Sequence, residues 1–356
     1  AGTLAFAGIA SGSGSLEQRG PGTLTLSGIH SYSGGTIVSG GTLANTGTIV
    51  GATNVLAAGT LTNAGTIASV TNAGIGTNTG TMGALTNTGG SFANEGTLNG
   101  PVTNNAGATF ATTATLNGSL TNIGTARVGG IVNGALDNRA GTVTATAATT
   151  GISALTQSAG ATLNLAGFAL TAGSLAGDGA VQLGAGTLTS GGSNASTAFA
   201  GIISGTGRIV KTGTGQLTLT GANIYTGGTT VAAGTLAGNS ASLQGAIVNE
   251  GRVRFDQATA GTYAGALSGA GQLEKAGAGR LDLTGTGLLT GGTLVSGGEL
   301  AVNGSLARSI VTVGTGARLG GSGTVGGIVA QNGATVAPGN AVGTLTVQGN
   351  VAFAPG

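Results

Sequence analysis

Glu250, Arg252, Arg254 and Asp256 stand at alternate positions, so in an extended strand all of them leave the same face. Arg280 and Asp282 repeat the acid and base spacing further along. Two carboxylates on neighbouring strands are the raw material of acid-base hydrolysis, and a guanidinium beside a carboxylate also recognises polar ligands. The competing reading is a ladder of opposite charges that fixes strand register. Val253 and Phe255 take the opposite parity, as do Leu281 and Leu283, which is the alternation of strands with one buried face. Glu250, Arg252, Arg254, Asp256, Arg280 and Asp282 are therefore expected to form an outward ladder face, with ligand binding as its alternative use.

Other reactive residue types lack partners. His30 is the sole histidine; a catalytic role needs an acid or base beside it, and its counterparts in two later repeats are Asn223 and Gly287, so a surface bend is expected. The serine-rich stretch Ser11-Gly12-Ser13-Gly14-Ser15 has no triad to join. Gly321-Ser322-Gly323-Thr324-Val325-Gly326 has the letters of a dinucleotide loop, but no helical period follows and no Asp or Glu occurs after Glu299 to hold a ribose. Cysteine is absent, which removes disulfides and thiolate metal sites. Gly177-Asp178-Gly179 is a lone acidic turn, whereas calcium-binding glycine-rich repeats need one in each successive turn. No catalytic residue, cofactor or metal ligand is expected.

The elements that position these residues are strands. Runs such as Thr23-Leu24-Thr25-Leu26, Gln216-Leu217-Thr218-Leu219 and Thr344-Leu345-Thr346-Val347 alternate with period two between glycines, and no stretch shows an apolar stripe at helical spacing. With 77 Gly among 356 residues, glycine is roughly three times as frequent as average, yet only 4 Pro are present and no period of three appears, which excludes collagen. Disorder is disfavoured by abundant β-branched residues and by only 11 basic and 9 acidic side chains. The formal charge of +2 comes without a basic cluster, so no nucleic-acid partner is expected. Ala1 to Ser15 lacks the basic start and apolar run of a signal peptide, which reads as a mature fragment. No apolar run approaches the ~18 residues of a membrane helix.

A long pattern recurs. From Phe6 it runs through Ser11-Gly12, Gly14, Leu16, Leu24, Leu26, Gly28, Gly34-Gly35-Thr36, Val38 and Leu43. The same roles return from Phe199 to Leu236 and from Tyr263 to Leu300. Between Asn45 and Gly141 a looser motif, an apolar residue with Asn two positions later and then Gly, places Asn45, Asn63, Asn72, Asn87, Asn94, Asn104 and Asn122 at strand corners. The longer spacings suit one solenoid turn and the shorter ones two corners within a turn. Asn is expected at these bends because it tolerates left-handed backbone and bonds its own main chain. Turns of about 20 residues stacked ~4.8 Å apart give roughly 17 or 18 turns, with Leu on Leu, Thr on Thr and Asn on Asn. The fold class is all-β: a single right-handed parallel β-helix, organised as first coils over 1–45, irregular Asn/Gly/Thr-rich coils over 46–198, two tandem repeats over 199–300 and terminal coils over 301–356.

The segment from Phe199 to Leu236, with Ser204-Gly205-Thr206-Gly207, Lys211-Thr212-Gly213 and Tyr225-Thr226-Gly227-Gly228-Thr229, resembles the autotransporter-associated β-strand repeat of type V secreted surface proteins. The tail, with Leu319-Gly320-Gly321-Ser322-Gly323-Thr324-Val325 and Ala337-Pro338-Gly339-Asn340, is similar to the end of such passengers. The resemblance implies a right-handed parallel β-helix exported through a C-terminal outer-membrane barrel that lies outside this sequence, and a place at the bacterial surface or in the medium. It also implies terminal coils that help to seed folding. Two non-enzymatic functions follow as expectations: an adhesin or self-association module whose partner is a second copy or a host surface or glycan, or a passive stalk that presents a separate effector domain.

Overall fold

The computed structural model describes residues 2–354. Among them there is no helix, and the chain is a parallel β-solenoid of about 19 turns. It divides into two compact units, Ala1–Ala172 and Gly173–Gly356.

In the first unit the coils stack in register. Thr23 pairs with Thr42 and Thr42 with Thr60; the next two steps, to Ile75 and Ser91, are shorter, and the step to Thr109 returns to the earlier length. These shorter steps account for the excess over the expected number of turns. Inward of this column run Leu24, Leu43, Leu61, Gly76, Phe92 and Phe110, one residue per coil. So narrow an interior balances volume between coils. A Cβ at Gly76 would fall within the ring of Phe92, so the one missing side chain makes room for the largest.

Corners are closed by main-chain bonds from one coil to the coil before it. Ala64 N donates to Asn45 O at 2.8 Å, and Thr79 N to Asn63 O at 2.8 Å. Gly65 and Gly80 stack at this corner, where a Cβ would strike the carbonyl of the glycine one coil earlier. The corner asparagines are not left-handed. Among the described residues the only non-glycine positions with positive φ are Ala166 and Asn194. Asn63, Asn78 and Asn94 instead end extended strands with their side chains buried in the coil. Backbone bonding at the bend is nevertheless present, since Asn63 Nδ2 donates to Gly65 O at 3.3 Å.

The second unit carries the two later repeats. One inward column passes through Leu217, Leu236, Val253, Leu273, Thr293 and Val311. A separate five-stranded parallel sheet is made by Gly261–Tyr263, Arg280–Leu283, Glu299–Val302, Arg318–Gly320 and Thr335–Val336. Leu281, Leu300 and Leu319 line its buried side with no exposure.

Candidate binding faces

Strand Arg252–Asp256 turns Val253 and Phe255 inward, both fully buried, and leaves Arg252, Arg254 and Asp256 on the outside. Arg252 Nη2 meets Glu274 Oε2 at 2.6 Å. Arg254 is held more loosely, with Nη2 3.4 Å from Asp256 and Nε 3.9 Å from Glu274. Glu274 also accepts a hydrogen bond from Ser296 Oγ at 2.9 Å. It is thus the hub of this network although the charge spacing does not single it out; its outward parity between Leu273 and Lys275 was the available signal. Glu250 stays exposed at the preceding corner and accepts from Ala270 N at 3.3 Å.

Arg280 and Asp282 belong to the five-stranded sheet, not to the sheet that holds Arg252–Asp256. Asp282 accepts from Arg280 Nη2 at 2.7 Å, and Glu299 bridges Arg280 and Arg318 at 3.5 Å each. Asn340 Oδ1 accepts from Arg280 Nη2 at 2.5 Å, and Asn303 joins both Asp282 and Asn340. Five of the six residues therefore fall into two networks on two sheets, and Glu250 stands outside both. The first makes one arginine-to-carboxylate step between coils, the second alternates as Arg280, Glu299 and Arg318 on successive coils, and Asp282 raises the proton affinity of the Arg280 guanidinium through its hydrogen bond. The described residues contain no group of three or more His, Asp or Glu placed to hold a metal ion.

His30 is not in a surface bend. It is fully buried, its ring lies 5.6 Å from that of Phe6 and 6.3 Å from that of Tyr32, and neither ring nitrogen has a partner. Burial pushes its pKa below the ordinary imidazole value. Asn223, at the same place in the second repeat, is also buried and links coils: its Oδ1 accepts from Ile203 N at 2.8 Å and its Nδ2 donates to Ser242 O at 2.8 Å. The position tolerates varied chemistry because it is a corner of the core where the backbone completes what the side chain does not; in the third repeat Gly287 N donates directly to Ser305 O at 3.0 Å.

Lys211 and Lys275 are buried as well. Lys275 Nζ donates to the carbonyls of Ala276, Gly277 and Gly297 at 2.8, 2.9 and 3.0 Å. Lys211 does the same with Thr212, Gly213 and Ala233. Desolvation lowers both pKa values. In the first repeat Gln18 occupies this seat and donates to Gly20 O and Gly22 O at 2.9 and 3.0 Å. A long donor on inward parity at the same place in three repeats marks a carbonyl-lined corner, a signal present in the letters.

The first unit offers a different surface. Inside it run two amide ladders: Asn45, Asn63, Asn78 and Asn94 form one, and Asn72, Asn87, Asn104, Asn122, Asn138 and Gln157 the other. The short Asn spacings in the sequence are hops between these columns. Outside, Thr71, Thr86, Thr103 and Thr121 form one straight column and Thr66, Thr81, Thr97 and Thr115 another. Exposed Asn117 donates to Asn99 at 2.8 Å and accepts from Asn133 at 2.8 Å. Only Arg19, Arg127 and Arg139 and the acids Glu17, Glu95 and Asp137 interrupt this neutral surface.

Comparison with known proteins agrees with this architecture. Residues 16–44, 209–237 and 273–302 match the passenger-associated-transport-repeat. A stretch of 157 residues, 38% of the chain, is 34% identical to the adhesin BmaC autotransporter of Brucella suis biovar 1 (strain 1330). The chain spans only 5% of the length of that protein. No solved structure matches it.

Proposed function

We propose that this chain, an autotransporter passenger segment with three passenger-associated-transport repeats, serves at the cell surface or in the medium as a non-enzymatic adhesion module that associates with further copies of itself. The observation that carries the reading is the outward face of the first unit, where Thr71, Thr86, Thr103 and Thr121 and the ladder of Asn99, Asn117 and Asn133 repeat coil by coil. Three basic and three acidic residues cancel over that unit, so two copies approach with little repulsion. A single hydrogen bond contributes about 0.5–1.5 kcal/mol net, and a periodic face multiplies it. The likeness to a protein named as an adhesin supports the same reading. The charge networks of the second unit fit register-fixing ladders, with each carboxylate of Asp282, Glu274 and Glu299 already engaged by arginine.

The test is display of the chain on non-aggregating cells, with settling and surface attachment measured. Faster settling supports self-association. Settling and attachment both unchanged would leave the chain as a passive stalk.

A further inference from the structure

In the outer column Thr218, Ala237, Arg254, Glu274, Leu294 and Thr312 of the second unit, the small Ala237 sits between two longer side chains. The result is a cleft of about 230 Å³, floored by Ala237 and Gly238 and walled by Gln216 and Thr218 on one side and Arg254 and Asp256 on the other. It is smaller than the ~300–1,000 Å³ sites of drug-sized ligands and takes a single ring.

Unused hydrogen-bonding capacity converges on this cleft. Gln216 donates through Nε2 to Thr218 Oγ1 at 2.9 Å, which leaves its Oε1 as a free acceptor. Asn239, at the cleft edge, uses Oδ1 to cap Ala241 N and Ser242 N, which leaves its Nδ2 donors. Asp256 is 58% exposed and held only by a 3.4 Å contact with Arg254. A carboxylate, a guanidinium, an amide donor and an amide acceptor around an uncharged floor match vicinal hydroxyl groups, each of which donates and accepts. The opposite charges of Arg254 and Asp256 leave no excess to select an anion.

A second cleft of about 220 Å³ lies beyond the arginine row, where Leu294 stands in the same column between Glu274 and Thr312. Ala237 and Leu294 are three coils apart, roughly 14 Å at ~4.8 Å per coil. We infer that this sheet face is a saccharide-binding groove for a neutral oligosaccharide laid along the coil axis, with rings seated at Ala237 and Leu294 and Asp256 and Arg254 reading the hydroxyls between. No aromatic platform lines it, so affinity per chain is low, and surface multivalency raises it.

Saturation-transfer NMR and calorimetry on the purified chain test this with maltotetraose, cellotetraose, chitotetraose and lacto-N-tetraose, and with 3′-sialyllactose and a heparin hexasaccharide as charged probes. The expected result is binding of at least one neutral tetrasaccharide, weakened tenfold or more both by Asp256→Asn, which keeps the shape of an exposed side chain, and by Ala237→Leu, which fills the notch. Failure of all four neutral probes, binding of the charged probes alone, or undiminished binding by Asp256→Asn each overturns the inference. Cell settling separates it from the self-association reading: Asp256→Asn settles as the parent does if the two faces are independent, and saccharide binding without settling removes only self-association.

Discussion

Asn104 Nδ2 donates to Asn122 Oδ1 at 2.8 Å, and Asn104 Oδ1 in turn accepts from Asn87 Nδ2 at 2.9 Å. Every rung of this column thus passes its amide in the same direction along the coils. The interior of the first unit is held by a polar spine as well as by Leu and Phe, and a spine of amides is costly to interrupt because each member completes its neighbours.

Asn104→Leu is expected to destabilise the first unit by about 2–4 kcal/mol, since it strands Asn122 Oδ1 and removes the donor that Asn104 supplies to Thr125 O. Denaturant unfolding measures it. A loss below about 0.5 kcal/mol would show that the amides stack without contributing.

The direction of the ladder leaves its first oxygen unsatisfied: Asn72 Oδ1 is buried with no partner, because Val55 precedes it in the column. Val55→Asn supplies the missing donor. Its cost is expected to be at least 1 kcal/mol smaller than that of Val55→Ser, which removes the same apolar surface but falls short of Asn72. Equal losses for the two variants, read by thermal unfolding, would contradict the ladder.

His30 predicts a pH dependence. Unfolded, it titrates near about 6.5; buried without partners, it resists protonation to lower pH. Between those values the unfolded chain binds more protons, so the stabilising effect of neutral His30 is complete above about pH 6.5 and is lost as pH falls towards the depressed folded value, by up to about 1.4 kcal/mol per pH unit. His30→Phe should flatten this part of the profile. The same slope in both proteins would place the titration elsewhere.

Lys275→Gln reproduces the arrangement of Gln18 in the first repeat and keeps a donor for the carbonyls of Gly277 and Gly297 without a buried charge. It should be within about 1 kcal/mol of the parent, whereas Lys275→Met should lose about 2–4 kcal/mol by leaving carbonyls unpaired. Comparable unfolding midpoints for Met and Gln would mean that water already serves this corner.

The sequence shows most clearly where one residue type repeats on one parity. Leu24-Leu26, Leu217-Leu219 and Leu281-Leu283 announced inward strands, and Arg252, Arg254 and Asp256 an outward row. It is least direct at corners, because exposure there depends on the neighbouring coils. His30 and Asn223 look like surface residues to a reading of single segments and are buried only because adjacent coils cover them. The cleft at Ala237 is equally hidden from linear reading: it exists because Thr218 and Arg254, 36 residues apart, stand one coil to either side. Glycine at position 76 under Phe92 is the same kind of relationship, a compensation between coils and not within one.

Sedimentation velocity of the purified chain, compared with the variant Thr103→Lys plus Asn117→Lys, tests self-association most directly. Both substitutions leave the interior untouched and place like charge on the neutral columns of every copy. Self-association through these columns predicts concentration-dependent growth of the parent and a monomer for the variant at the same concentration. Growth undiminished by the two lysines, or a parent that remains monomeric as concentration rises, would contradict it.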